Sequence, residues 1–149
     1  MNFYNNLKNF KNNTALVNGK EKITYEDLIF ESEKFSTNIT KDRALIFILI
    51  DNDLESIVAL IGSEIKNSVI MLINPTINIS ALSKLINLYN PDYLFLSKEK
   101  KMEIYNFKLI FSYRGYNLLK SIKFLSKKIN QKLFLLQTTS GSTGSPKNV

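Results

Sequence analysis

The residues best equipped for chemistry lie together near one end of the sequence, in "TTSGSTGSPKNV" from Thr138 to Val149. Gly141 and Gly144 allow backbone conformations that turn successive N–H groups toward a single anion. Thr139, Ser140, Ser142 and Thr143 add hydroxyls that can donate to phosphate or ligate a magnesium ion. Lys147 supplies a movable positive charge. Such a loop suits a triphosphate or a pyrophosphate. It is not a Walker loop, in which the lysine directly follows a glycine and precedes Ser or Thr, because Pro146 intervenes. No G-x-G-x-x-G run is present, so a dinucleotide site has no support. A plain Ser/Gly surface loop or linker is the alternative reading of the same composition.

What the rest of the chain lacks narrows the chemistry. There is no histidine and no cysteine among the 149 residues, which removes the commonest general base, thiolate zinc sites, disulfides and a cysteine nucleophile. Catalysis would have to rely on carboxylates, lysines, hydroxyls or a bound cation. The formal charge of +7 is concentrated between Lys98 and Lys132, where Lys98, Lys100, Lys101, Lys108, Arg114, Lys120, Lys123, Lys127, Lys128 and Lys132 face only Glu99 and Glu103. A solvated basic face explains that run without a nucleic-acid partner, because no nucleic-acid fingerprint accompanies it. The tyrosines and phenylalanines follow the apolar periodicity and read as core. No apolar run is long enough to span a bilayer and the first residues lack a signal-peptide pattern, so a cytoplasmic protein is expected.

The loop must be carried by ordered elements, and the hydrophobic pattern supplies them. "LVNGK" reads as a short strand entering a turn at Asn18-Gly19. Thr24, with Asp27 three residues on, has the spacing of a capping box, followed by a helix to about Asn38. "RALIFILID", "SVIMLIN", "DYLFLS", "NFKLIFS" and "KLFLLQ" are short, continuously apolar runs that predict strands buried on both faces. Helical spacing appears at Leu54, Ile57, Val58, Ile61 and Ile65, and again at Leu82, Leu85, Ile86 and Tyr89, before Asn90-Pro91 ends it. Leu118, Ile122, Leu125 and Ile129 suggest a further amphipathic helix. Strands alternating with helices predict an α/β fold with a mainly parallel sheet flanked by helices. Residues 1–149 read as one domain or subdomain, with no second domain.

At this point the terminal motif becomes specific. Thr139, Ser140, Gly141, Ser142, Thr143, Gly144, Pro146, Lys147 and Val149 match the phosphate loop of the adenylate-forming superfamily. Its members include acyl-CoA synthetases, nonribosomal peptide adenylation domains and luciferases. Asn148 departs from the usual glycine. "KITYEDL" resembles that family's early "LTYAEL", and "NPDYLFLS" resembles the strand before its phosphate loop. Asn67-Ser68 stands where a small Gly-Ala pair is frequent, and Asn74-Pro75-Thr76 is a weaker form of the family's "P-L-[DN]-P".

The resemblance implies the N-terminal portion of an ATP-dependent ligase. In that chemistry a small carboxylic acid attacks the α-phosphate of Mg-ATP, pyrophosphate leaves, and the acyl-adenylate passes to coenzyme A or a phosphopantetheine thiol. It also implies roles: Thr139, Ser140, Gly141, Ser142, Thr143 and Gly144 around the β- and γ-phosphates, Thr143 near magnesium, and Lys147 offsetting charge on departing pyrophosphate. In the family the adenine and acyl pockets and the catalytic lysine of a mobile domain follow this loop, so the expectation is a fragment inactive alone and prone to self-association or to pairing with a partner chain. A standalone non-catalytic module that binds a phosphate-bearing ligand or a partner chain is the competing expectation. Neither involves nucleic acid or a membrane span.

Overall fold

In a computed structural model of the protein, residues 3–100, 106–123 and 129–137 are described. A short helix α1 (Phe3–Leu7) precedes a two-stranded antiparallel ribbon, β1 (Thr14–Asn18) and β2 (Glu21–Thr24), joined through Gly19 at positive φ. Then follow α2 (Tyr25–Ser36), β3 (Leu45–Leu49), α3 (Leu54–Ile65), β4 (Val69–Ile73), α4 (Ile79–Tyr89), β5 (Tyr93–Ser97), β6 (Phe107–Tyr113), β7 (Tyr116–Ser121) and β8 (Leu135–Gln137).

The helix ends form as the local residues dictate. Thr24 Oγ1 accepts from the Asp27 amide at 3.1 Å while the Asp27 carboxylate accepts from the Thr24 amide at 3.2 Å, so two amide donors at the start of α2 are satisfied reciprocally. Asp53 and Asn78 cap α3 and α4 by accepting from the amides of Ser56 and Ala81, both at 2.8 Å. Asn90 closes α4 in the left-handed region, with φ 46°. Pro91 follows and cannot continue the helix.

Six strands form one sheet in the order β6-β7-β5-β3-β4-β8. β3, β4, β5 and β8 are mutually parallel. The apolar runs of β3, β4 and β5 are continuous because both faces are covered, whereas β8 at the edge is buried less than the expectation of a two-sided strand. Ile46, Ile48, Ile70, Tyr93 and Phe95 point into a core with Leu28 and Phe35 of α2 and Val58, Ala59 and Ile61 of α3. Leu45, Phe47, Leu49, Val69, Met71, Ile73, Leu94 and Leu96 point the other way, against Leu82 and Leu85 of α4. This is the α/β architecture expected from the pattern. At Gly62 an added Cβ would lie 2.6 Å from Phe35 Cδ1 and 2.8 Å from the Ser32 carbonyl oxygen; the missing side chain is what lets α2 and α3 approach.

Two further expectations need correction. The helix read from Leu118, Ile122, Leu125 and Ile129 does not form where it can be checked, because Tyr116–Ser121 is strand β7, antiparallel to both β5 and β6. Residues 124–128 of that stretch lie outside the described residues. The turn decides the outcome: Arg114 and Gly115 both sit at positive φ, 42° and 89°, with Tyr113 paired to Tyr116. Two central residues of that kind match the twist of a hairpin. Leu118 and Leu119 then enter opposite cores, which a strand permits and one helix face does not. The aromatic residues also divide, since Phe35, Phe47, Tyr93 and Phe95 are buried while Phe3, Phe10 and Phe30 are exposed. Among the described residues no helix is long and apolar enough to cross a membrane.

Tyr113 carries a consequence of the hairpin that can be measured. Burial, followed by the nearby Glu31 charge, pushes its phenol from 10.0 to about 12. Below pH 10 both folded and unfolded chains keep the proton. Between about 10 and 12 the unfolded chain loses it and the folded chain does not, so stability falls as pH rises through that window. Tyr113→Phe is expected to leave stability at pH 7 nearly unchanged and to flatten this alkaline decline. Urea unfolding at pH 7 and at several values above 10 checks it; an unchanged slope would mean that the phenol is not the titrating group.

Candidate functional site

The four parallel strands end along one edge, at Leu49, Ile73, Ser97 and Gln137. From β3 the chain leaves through Asp51–Asp53 to α3 on one face of the sheet. From neighbouring β4 it leaves through Asn74–Asn78 to α4 on the other. Adjacent strands whose exits diverge in this way open a crevice at their carboxyl ends, the usual place for a ligand in such sheets.

β8 runs beside β4 with Gln137 in register with Leu72. The segment rich in glycine and hydroxyls therefore follows in sequence from this edge, beside the exit of β4. The residues singled out there, Thr139, Ser140, Gly141, Ser142, Thr143, Gly144 and Lys147, lie outside the described residues. What is described is the strand that precedes them in sequence and the turns beside its end.

Those turns interlock and make a polar floor. Asn74 Oδ1 accepts from the backbone amide of Thr76 at 2.8 Å and from its hydroxyl at 2.7 Å, an arrangement in which a side chain replaces a backbone turn bond. Lys100 Nζ reaches back to donate to the carbonyls of Pro75 at 2.8 Å and Ile77 at 2.5 Å, tying the exit of β5 to that of β4. At the neighbouring exit, the fully buried Ser56 accepts the Asp51 amide at 2.9 Å. The Tyr116 hydroxyl donates to the Asp53 carboxylate, while its ring stacks on Phe95 with centroids 5.0 Å apart. Burial first, and then the hydrogen bond to Asp53, hold the Tyr116 phenol above its ordinary range. It stays a neutral donor that braces the cap of α3.

Asp51, Thr76, Lys98, Lys100, Arg114 and Tyr116 line an open cavity of about 620 Å3 over this edge. Its charges are mixed, and Arg114 already faces Glu21 at 3.3 Å and Glu55 at 3.9 Å. Thr76, Lys100, Arg114 and Tyr116 each bond a neighbouring residue. Among the described residues the arrangement is a polar floor with no nucleophile and base placed together. Among the described residues no group of three or more acidic side chains could hold a metal ion. Tyr116, Asp53 and Lys100 had no motif in the sequence to announce them; their role depends on which strand lies beside which.

No family model matches the chain, and no curated protein matches it by sequence. Solved structures do match. O-succinylbenzoate coenzyme A synthetase from Bacillus subtilis, in complex with AMP, superposes with a TM-score of 0.71 at 15% identity, over 99% of this chain and 41% of that one. The N-terminal subdomain of NpsA from Klebsiella oxytoca, in complex with 3-hydroxyanthranilyl-AMSN, gives 0.65 at 18% identity over 98% of this chain and 38% of that one.

The chain has the fold of the N-terminal part of adenylate-forming enzymes. It spans less than half the length of either structure. The same synthetase in complex with its acyl-adenylate intermediate matches equally, with a TM-score of 0.71. An adenylate-forming fold accounts for features that composition left open. It explains why the sheet is mainly parallel and flanked by helices.

Proposed function

We propose that this chain is the N-terminal part of an ATP-dependent adenylate-forming ligase. A carboxylic acid and Mg-ATP give an acyl-adenylate and pyrophosphate, and the acyl group then passes to coenzyme A or a phosphopantetheine thiol. The observation that carries the reading is the placement of β8. β8 ends at the carboxyl edge and is followed in sequence by a segment rich in glycine, hydroxyls and lysine, in a fold whose solved counterparts include one bound to AMP and one to an acyl-adenylate.

In this reading Thr139, Ser140, Gly141, Ser142, Thr143 and Gly144 donate to the β- and γ-phosphates. Thr143 is the hydroxyl nearest magnesium, and Lys147 offsets charge on departing pyrophosphate. Fixed donors stabilise a leaving group without any acid or base, so the absence of histidine fits. The floor of interlocked turns lies beside the end of the strand that precedes the segment.

Residues 1–149 cover 41% and 38% of the two solved counterparts, and in this reading a complete ligase needs more than these residues. The 149-residue chain alone is therefore expected to bind nucleotide weakly and to catalyse no adenylation. The test is carboxylate-dependent exchange of labelled pyrophosphate into ATP. The gene product in its full cellular form, with any partner that copurifies, should exchange when given a panel of small acids, and the 149-residue chain should not. Exchange by the isolated chain would refute the division of labour; no exchange by the full form with any acid would refute the ligase reading.

A further inference from the structure

We propose that Arg43 is the residue that positions β8 on the sheet. Arg43 sits in the turn before β3 with φ 53°, a conformation that a long side chain rarely adopts. That backbone aims its planar fork across the amino-end edge of the sheet. Nη1 donates to the carbonyl of Asn67 at 3.0 Å, and Nη2 donates to the carbonyls of Asn130, at 2.5 Å, and Leu133. One guanidinium thus joins the end of α3 to the approach of β8. Asn67, also at positive φ, 49°, follows α3 and presents its carbonyl where the helix dipole is negative, which favours a cation.

β8 is three residues long and, among the described residues, lies at the edge of the sheet and pairs with β4 alone; Leu133, Phe134 and Leu136 pack against the cores. Short strands with one neighbour are marginal by themselves. The tight turn before it, in which the Leu133 amide donates to the Asn130 carbonyl at 3.1 Å, is the turn whose carbonyls Arg43 takes. Just beyond, the Ile70 amide donates to the Phe134 carbonyl at 3.0 Å and begins the β4–β8 ladder. Arg43 therefore fixes the start of β8, and the strand carries that position to Gln137. Its Nε is buried without a hydrogen-bond partner among the described residues, a penalty accepted in exchange for the three carbonyl contacts. A lysine could not replace it, since a single ammonium lacks the fork that spans separate carbonyls. The positioning of β8 is independent of the function proposed above.

Amide hydrogen exchange tests the inference and needs no ligand. In Arg43→Met the amides of residues 133–137 and of Ile70 should exchange at least about tenfold faster, while Ile46, Ile48 and Phe95 at the centre of the sheet keep their rates, because edge units open separately from the core. Arg43→Lys should restore little of the lost protection. Unchanged exchange in β8, or equal acceleration in β3 and β5, would overturn the inference. Should the variants not fold, the unmodified protein answers in low urea. The Arg43 Nη–H groups that bond the carbonyls and the β8 amides should open together, before the central strands. A rapidly exchanging Arg43 beside a protected β8 would overturn it as well. Because this readout is separate from pyrophosphate exchange, failure of the ligase reading and failure of the Arg43 inference can be told apart.

Discussion

Phe35→Ala is expected to destabilise the protein by about 3–5 kcal/mol, the cost usual for truncating a fully buried phenylalanine. Phe35 is 1% exposed. It meets Phe95 of β5 edge-on at 5.3 Å between centroids and Phe111 of β6 at 6.2 Å, so it joins α2 to two strands. It also lies against Gly62 of α3, where an added Cβ would come within 2.6 Å of it. The site therefore cannot collapse by moving one neighbour: α3 is already as close as its missing side chain allows, and the ring partners are fixed by the sheet. Total stabilities of about 5–15 kcal/mol make such a loss close to decisive. Urea denaturation measures it, with Phe35→Leu expected to lose less than half as much. A loss under about 1 kcal/mol would show that α2 repacks freely on the sheet.

The sequence made most of this layout legible, and the particular elements show why. Strands β3, β4 and β5 were readable because burial on both faces leaves no polar position to confuse the pattern. Thr24 and Asp27, and the pair Asn90-Pro91, mark helix ends through chemistry confined to neighbouring residues. β7 was not legible, because Leu118 and Ile122 share the spacing of a helix face, and only the positive φ of Arg114 and Gly115 resolves the ambiguity. Arginine gives no hint of that conformation, unlike the asparagine in Asn18-Gly19. The role of Arg43 was hidden for a different reason: its acceptors are backbone carbonyls 24, 87 and 90 residues away, and a carbonyl has no letter in the sequence. The turns at the carboxyl ends of β3, β4 and β5 announced nothing, because their bonds join residues far apart in sequence.

The second large effect concerns Lys147, and it separates a working phosphate loop from a linker of the same composition. As the bond to the α-phosphate breaks, negative charge builds on the departing pyrophosphate. An ammonium about 4 Å away is worth on the order of 4 kcal/mol at an effective dielectric constant near 20. Removing one such fixed group typically costs about 10²–10³ in rate. Lys147→Ala is therefore expected to lower carboxylate-dependent pyrophosphate exchange by about that factor, in the full form that supports it. The kinetic pattern carries the argument further than the size. A group that acts as charge develops lowers kcat and kcat/KM together, whereas one that only holds ATP in the ground state raises KM and spares kcat. Thr143→Val should also impair exchange and Thr143→Ser should restore much of it, since the proposed role belongs to the hydroxyl and not to the methyl. A spacer would show neither effect, because a spacer has no use for a particular cation or hydroxyl. If Lys147→Ala left kcat and KM unchanged, the loop would lose its assigned chemistry, and the fold would stand without the function proposed for it.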